Sequence, residues 1–233
     1  MNILVTGASR GIGAAAFALL RSTGHEVAGH STRGGDGLLA ADLADSSAPR
    51  TLWNAALDRL NGRIDVLVNN AGIYEAVADD SPEPEWHAAW ARMLAINLQA
   101  PADLSRLAIG HFREIGGGRI VNVASRAAYR GDSPQHWHYA ASKAAIVAMT
   151  KTIARGYAAD GILAFGVAPG FTVSEMTEEY LAGRGGAAIV ADIPLGRVAS
   201  TDEVAEAIRW LAVDAPASAT GTVIDVNGAS YVR

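Results

Sequence analysis

The chain has no cysteine. Disulfides, thiolate metal sites and thiol catalysis are therefore excluded, and a reducing compartment is compatible with that composition. Long apolar runs are missing too: no stretch approaches the ~18 apolar residues of a membrane span. The first residues, MNILVTGASRGIG, hold an apolar run of only three without a positive flank, which is unlike a signal peptide. A basic block is also absent. Lys plus Arg number 19 against 24 Asp plus Glu, for a formal charge of −5. That balance argues against nucleic-acid and anionic-membrane partners. These absences leave a cytoplasmic protein acting on a small molecule as the expectation.

What the chain does have is small and apolar. Half of its 233 residues are hydrophobic and 25 are glycine. The length suits one sizeable core, so residues 1–233 are expected to form a single domain. Short apolar runs alternate with longer helical patterns. Strands are expected at 3–5, 26–31, 38–42, 65–70, 119–125, 162–168 and 222–226. Helices are expected at about 11–23, 48–60, 83–114 with a bend at Pro101, 137–159 and 202–213. Fully apolar strands such as VLV (66–68) suit a sheet covered on both faces. The expected fold class is α/β: a single-domain, doubly wound parallel sheet of Rossmann type, with helices on both faces.

TGASRGIG (6–13) lies between the first strand and the first helix. Gly7, Gly11 and Gly13 allow a sharp turn, close approach of a ligand, and tight packing of helix on sheet. The helix N-terminus then offers free N–H groups to a phosphate. The spacing is Gly-x-x-x-Gly-x-Gly, which differs from the commonest dinucleotide fingerprint. A second signal is HYAASKAA (138–145), where Tyr139 and Lys143 stand four residues apart in an alanine-rich helical run. Such positions share one helix face. An ammonium ~4 Å from a phenolate stabilises it by about 4 kcal/mol at an effective dielectric near 20. That would lower the tyrosine pKa by about two to three, making it a usable acid/base.

Several further motifs stand in the same order: NNAG (69–72), Asn97 in INLQA, Ser125 at a strand end 14 residues before Tyr139, and APG (168–170). From Leu4 to the closing VIDVNGA, the chain resembles the short-chain dehydrogenases/reductases, and within them most the 3-oxoacyl-carrier-protein reductases. The resemblance implies an oxidoreductase in which Ser125 binds the substrate oxygen and Tyr139 moves the proton. Lys143 would hold the nicotinamide ribose, and Asn97 a water that relays protons. It implies cofactor contacts at Gly7, Ser9, Arg10, Gly11, Ile12 and Gly13, and at Asp42 and Leu43 beside the adenine. Asn70, Ala71 and Gly72, then Pro169, Gly170 and Thr172, complete that set with Tyr139 and Lys143. A homotetramer or dimer is likewise implied, with GASYVR at a subunit contact.

The end of the second strand reads HSTRGG (30–35), with Ser31 where enzymes without a 2′-phosphate usually carry an acid. Ser31, Thr32 and Arg33, together with Arg10, make NADP(H) the favoured cofactor. NAD(H) is the alternative, because the link to LLAADLAD is short and Asp36 lies in it. Substrate contacts are expected from 73–78, from 126–137 and from a lid at about 171–195. Arg126 and Arg130 are candidates to meet an anionic substrate, and His136 and His138 to shape the pocket or face a neighbouring subunit. No metal is expected. The reading is reduction of a ketone or 3-oxoacyl-type substrate. The alternatives are NAD-dependent oxidation of a polyol, sugar or other secondary alcohol, and a non-catalytic dinucleotide sensor.

Overall fold

Seven strands make one sheet: β1 (Asn2–Val5), β2 (Glu26–Ser31), β3 (Leu39–Ala40), β4 (Val66–Asn69), β5 (Gly118–Val123), β6 (Ile162–Pro169) and β7 (Val223–Val226). The computed structural model describes residues 1–173 and 186–233. The strand order is β3-β2-β1-β4-β5-β6-β7, and every pair is parallel. The described helices are α1 (Gly11–Ser22), α2 (Ala48–Arg59), α3 (Glu83–Leu94), α4 (Ala100–Ile115), α5 (Ala127–Arg130), α6 (Trp137–Tyr157), α7 (Gly186–Ala191) and α8 (Thr201–Arg209).

Side-chain alternation along the strands explains the two layers. Ile3, Val5, Val66, Val68, Val121, Phe165 and Val167 pack with Leu20 of α1 and Val204 and Ile208 of α8. Leu4, Leu67, Ile120 and Ile162 point the other way, onto Leu52 and Trp53 of α2, Leu104 and Phe112 of α4, and Ile153 of α6. Burial of each such large side chain stabilises the fold by ~1.5–3 kcal/mol. Both faces are therefore apolar, as a parallel sheet requires.

The helical stretch at 83–114 does not bend where expected. It breaks in a π-helical turn at Ala95–Gln99, and Pro101 sits in the first turn of α4. The cause lies in proline's missing amide. In an unbroken α-helix, residue 101 would donate to the carbonyl of Asn97. Proline cannot, so that carbonyl leaves the helical ladder, and the Ala100 amide reaches back to Ala95 instead. Such turns occur often at functional sites.

Between β2 and β3 the chain makes a loop, without the helix that a longer connection would allow. Gly34, Gly35, Asp36 and Gly37 all have positive φ there. The carboxyl ends of β1 and β4 are where connections depart to opposite sides of the sheet, and a crevice opens at that switch point. Among the described residues, no helix is long and apolar enough to cross a membrane.

Candidate active site

The turn after β1 is built without room to spare. Gly7 and Gly11 have φ of 68° and 56°, a region that favours glycine. A Cβ on Gly13 would stand 2.0 Å from the Gly7 carbonyl oxygen and 2.4 Å from Asn70 Nδ2. Asn70 Nδ2 donates to the carbonyls of Thr6 (3.0 Å) and Gly7 (3.1 Å). Thr6 Oγ1 accepts the amides of Asn70 and Ala71, each at 3.0 Å. Strand β4 thus holds the turn from below. From the other side the Gly7 amide donates to His30 Nδ1 at 3.2 Å, and His30 Nε2 meets the Ala41 carbonyl at 2.9 Å. These contacts select the neutral ring with its proton on Nε2. Burial holds the His30 pKa below its usual value.

Helix α1 begins at this turn with no side-chain cap and no acid in its first turn. Its amides are thus left for a ligand, and a phosphate suits them. Gly72 also leaves space: a Cβ there would lie 3.3 Å from Asn97 Oδ1 and 3.4 Å from Lys143 Nζ. The residues present fit an extended dinucleotide.

The crevice is a cavity of about 680 Å³. Its walls include Gly7, Ser9, Arg10, Gly11, Ile12 and Gly13 of the turn, and Ser31, Thr32, Asp42 and Leu43 around the β2 and β3 ends. Asn70, Ala71, Gly72, Ser125, Tyr139, Lys143, Pro169, Gly170 and Thr172 line it further along. Two of the expected cofactor and catalytic residues are not on its wall. Arg33 is exposed and does not line the cavity; its loop folds back, with Ser31 Oγ donating to the Gly34 carbonyl at 3.2 Å. Asn97 is 1% exposed and spends its amide on the backbone at Ile73. Its Oδ1 accepts the Ile73 amide at 2.8 Å and its Nδ2 donates to the Ile73 carbonyl at 3.0 Å. Asn69 lies in the core, donating to Asn122 Oδ1 at 2.9 Å.

Tyr139 and Lys143 sit on α6, and Ser125 follows the end of β5. The Ser125 hydroxyl accepts the Ala127 amide at 3.1 Å, which fixes its direction. Lys143 Nζ donates to the Val123 carbonyl at 2.9 Å and lies 5.8 Å from the centre of the Tyr139 ring. The expected lowering of the phenol pKa is not what the fold produces. Burial pushes Tyr139 up to about 12, with Ser125 pulling it back and Asp132 adding to the rise. Lys143, itself lowered to about 8 by desolvation and bonded to the Val123 carbonyl, does not offset that burial. Desolvation therefore outweighs the pair's mutual attraction.

Sequence reasoning did not single out His30, Tyr74 or Phe171. The Tyr74 ring meets Tyr139 edge-on at 4.7 Å and stacks on His136 at 3.9 Å. Tyr74 donates to Asp132 Oδ1 at 3.0 Å. His136 therefore shapes the pocket through Tyr74. His138 is fully buried against Trp90, at 5.7 Å between ring centres, and is off the cavity wall. Of the expected lid, Phe171–Val173 is tied to Ala199 by the bonds Ala199 N to Phe171 O (3.1 Å) and Val173 N to Ala199 O (3.0 Å). Its middle, 174–185, lies outside the described residues.

A glycine turn at the switch point of a parallel sheet and a serine, tyrosine and lysine in one crevice define a nucleotide-dependent oxidoreductase of the short-chain class. Sequence comparison agrees: a family model described as enoyl-(acyl carrier protein) reductase matches residues 7–229. The chain belongs to the short-chain dehydrogenase/reductase family. It is 34% identical to the acetoacetyl-CoA reductase of Rhizobium meliloti, over 98% of this chain and 97% of the relative. It is also 34% identical to the 3-oxoacyl-[acyl-carrier-protein] reductase FabG of Vibrio cholerae and 32% to that of Escherichia coli, each over 98% of this chain and 96% of the relative.

Proposed function

We propose that the chain is an NADP(H)-dependent reductase of a ketone or 3-oxoacyl-type substrate. The observation that carries this reading is the placing of Ser125, Tyr139 and Lys143 on the wall of the crevice that the glycine turn opens. A bound nicotinamide dinucleotide would supply the hydride. Ser125 would donate a hydrogen bond to the substrate oxygen as charge grows there. Tyr139, with its pKa raised to about 12, is protonated at neutral pH and can give its proton to that oxygen. Lys143 would hold the ribose and bring a positive charge beside the tyrosinate that results. The Asn97 side chain positions the chain at Ile73. Its carbonyl, released by Pro101, would hold the water of a proton relay.

Arg10, Ser31 and Thr32 on the crevice wall, with no acid at Ser31, support NADP(H). The names of the relatives support a 3-oxoacyl-type substrate. A cytoplasmic homo-oligomer, tetramer or dimer, goes with this reading. The test is NADPH oxidation with acetoacetyl-CoA and with simple ketones. Turnover with NADPH and little with NADH is expected, and oxidation of NADPH with none of these carbonyls would overturn it.

A second reading is favoured by the position of Arg33, which leaves one guanidinium fewer for a 2′-phosphate. It is NAD-dependent oxidation of a secondary alcohol such as a polyol or sugar. A preference for NADH together with alcohol turnover would establish it instead.

A further inference from the structure

Arg126 directly follows Ser125, and its amide is fixed to the Pro169 carbonyl at 2.9 Å. The residue lines the crevice, yet it is only 9% exposed. Its guanidinium lies 4.8 Å over the ring of Phe171. Nη1 is buried with no hydrogen-bond partner among the described residues. Among the described residues, the neighbouring carboxylates make their hydrogen bonds elsewhere. Asp192 Oδ2 forms only a long ion pair with Arg126 Nη1, at 3.9 Å, and is bonded to Arg130 Nη1 at 2.7 Å. Asp132 Oδ1 accepts from Tyr74 Oη at 3.0 Å and from the Ser133 amide at 2.7 Å. Tyr74 packs on Tyr139, so this cation stands at the catalytic end of the crevice.

A guanidinium stays charged when buried, and a buried N–H of it left without a hydrogen bond is costly. A neutral 3-oxoacyl chain offers only uncharged carbonyl oxygens to offset that cost. A carboxylate brings a negative charge as well, and its two oxygens match the planar fork. We propose that the substrate of this enzyme carries a carboxylate a few atoms from the reacting carbonyl, and that Arg126 receives it. The inference rests on the reductase reading and narrows its substrate class from oxoacyl thioesters to oxo acids. Phe171 holds the guanidinium in place from one side, while Arg130 keeps Asp192 from closing on it.

The test compares 3-oxobutanoate with its ethyl ester, with NADPH, in the wild type, Arg126→Gln and Arg126→Lys. The wild type is expected to favour the acid in kcat/KM by about tenfold to a hundredfold, the worth of one or two charge-assisted hydrogen bonds. In Arg126→Gln that ratio should collapse towards one, mainly through KM for the acid, and Arg126→Lys should keep part of it. NADPH affinity reports that each variant is folded. A merely structural arginine would lower both substrates together and leave the ratio intact, which would overturn the proposal. So would a wild type that uses ester and acid equally, or an Arg126→Gln whose main loss is on acetoacetyl-CoA, which would place the anion in the carrier's phosphates. If neither compound is reduced, the reductase reading fails separately. The anion site is then read by tryptophan fluorescence of the NADPH complex with butanoate and butanamide. Tighter butanoate binding that Arg126→Gln removes supports the site, and equal binding overturns it.

Discussion

The amide of Gly7 donates to Nδ1 of His30 across 3.2 Å, while the other ring nitrogen meets the Ala41 carbonyl at 2.9 Å. One imidazole thus ties the cofactor turn to the chain after β3. It can do so only while neutral, because a protonated ring has no acceptor for Gly7. Burial lowers the His30 pKa in the folded protein. The sign follows: stability from this contact is fully present above the unfolded value near ~6.5 and is lost as pH falls through the lower folded value. NADPH affinity should therefore weaken as pH is lowered from about 7 to about 5, and His30→Gln should flatten that dependence. Titration of cofactor binding across this range checks it. An unchanged slope in His30→Gln would remove His30 from the explanation.

Lys143 is buried for chemistry at the expense of stability. Its pKa is lowered to about 8 by desolvation. Because the folded value lies below the unfolded one, stability is present above about pH 10 and is lost as pH falls through 8. At neutral pH the penalty is about 3 kcal/mol, from ~1.4 kcal/mol per pKa unit. Lys143→Met should therefore raise Tm by roughly 6–12 °C at neutral pH and abolish the alkaline gain in stability. Turnover should fall by at least ~100-fold. Calorimetry at neutral and alkaline pH, beside kinetics, reads both. A lowered Tm would mean that the bond to Val123 outweighs desolvation.

Gly13 is a position where one methyl group decides the geometry. Its Cβ would overlap the Gly7 carbonyl, and Asn70 stands against the same spot. Relief requires the turn to lift from β4 and from the phosphate position together. Gly13→Ala should weaken NADPH binding by ~100-fold or more, at a cost of ~1–3 kcal/mol in stability from overpacking. Gly110→Ala, with nothing within 4 Å of its Cβ, is the matched control and should leave binding unchanged. Cofactor titration and denaturant melts of the two variants separate these effects.

The strands were legible because each is a short apolar run between turn residues, and Glu26–Ser31 is as long in the structure as in the pattern. β3 shrinks to Leu39–Ala40, since its outer edge has no further strand to pair with. The helix break at Ala95–Gln99 was misplaced because Pro101 acts on the carbonyl four residues before it, not at its own position. Tyr139 and Lys143 were visible from local spacing, but their pKa values were not, because desolvation depends on what packs around them. His30 and Tyr74 escaped notice for a related reason. Their partners lie 23 residues away at Gly7 and on another element at Tyr139, and no local pattern marks such pairs. Arg33 was placed by position after β2, and a pattern of residue types does not show how a loop with positive φ at Gly34, Gly35, Asp36 and Gly37 folds back.

The most direct measurement is NADPH oxidation with acetoacetyl-CoA or 3-oxobutanoate by Tyr139→Phe beside the wild type, with NADPH affinity measured on both. Phenylalanine keeps the ring and its edge contact with Tyr74 and removes only the proton donor. The expected result is a fall in kcat of ~100-fold or more with cofactor affinity retained. Near-wild-type turnover in Tyr139→Phe would contradict the assignment of Tyr139 as the group that moves the proton.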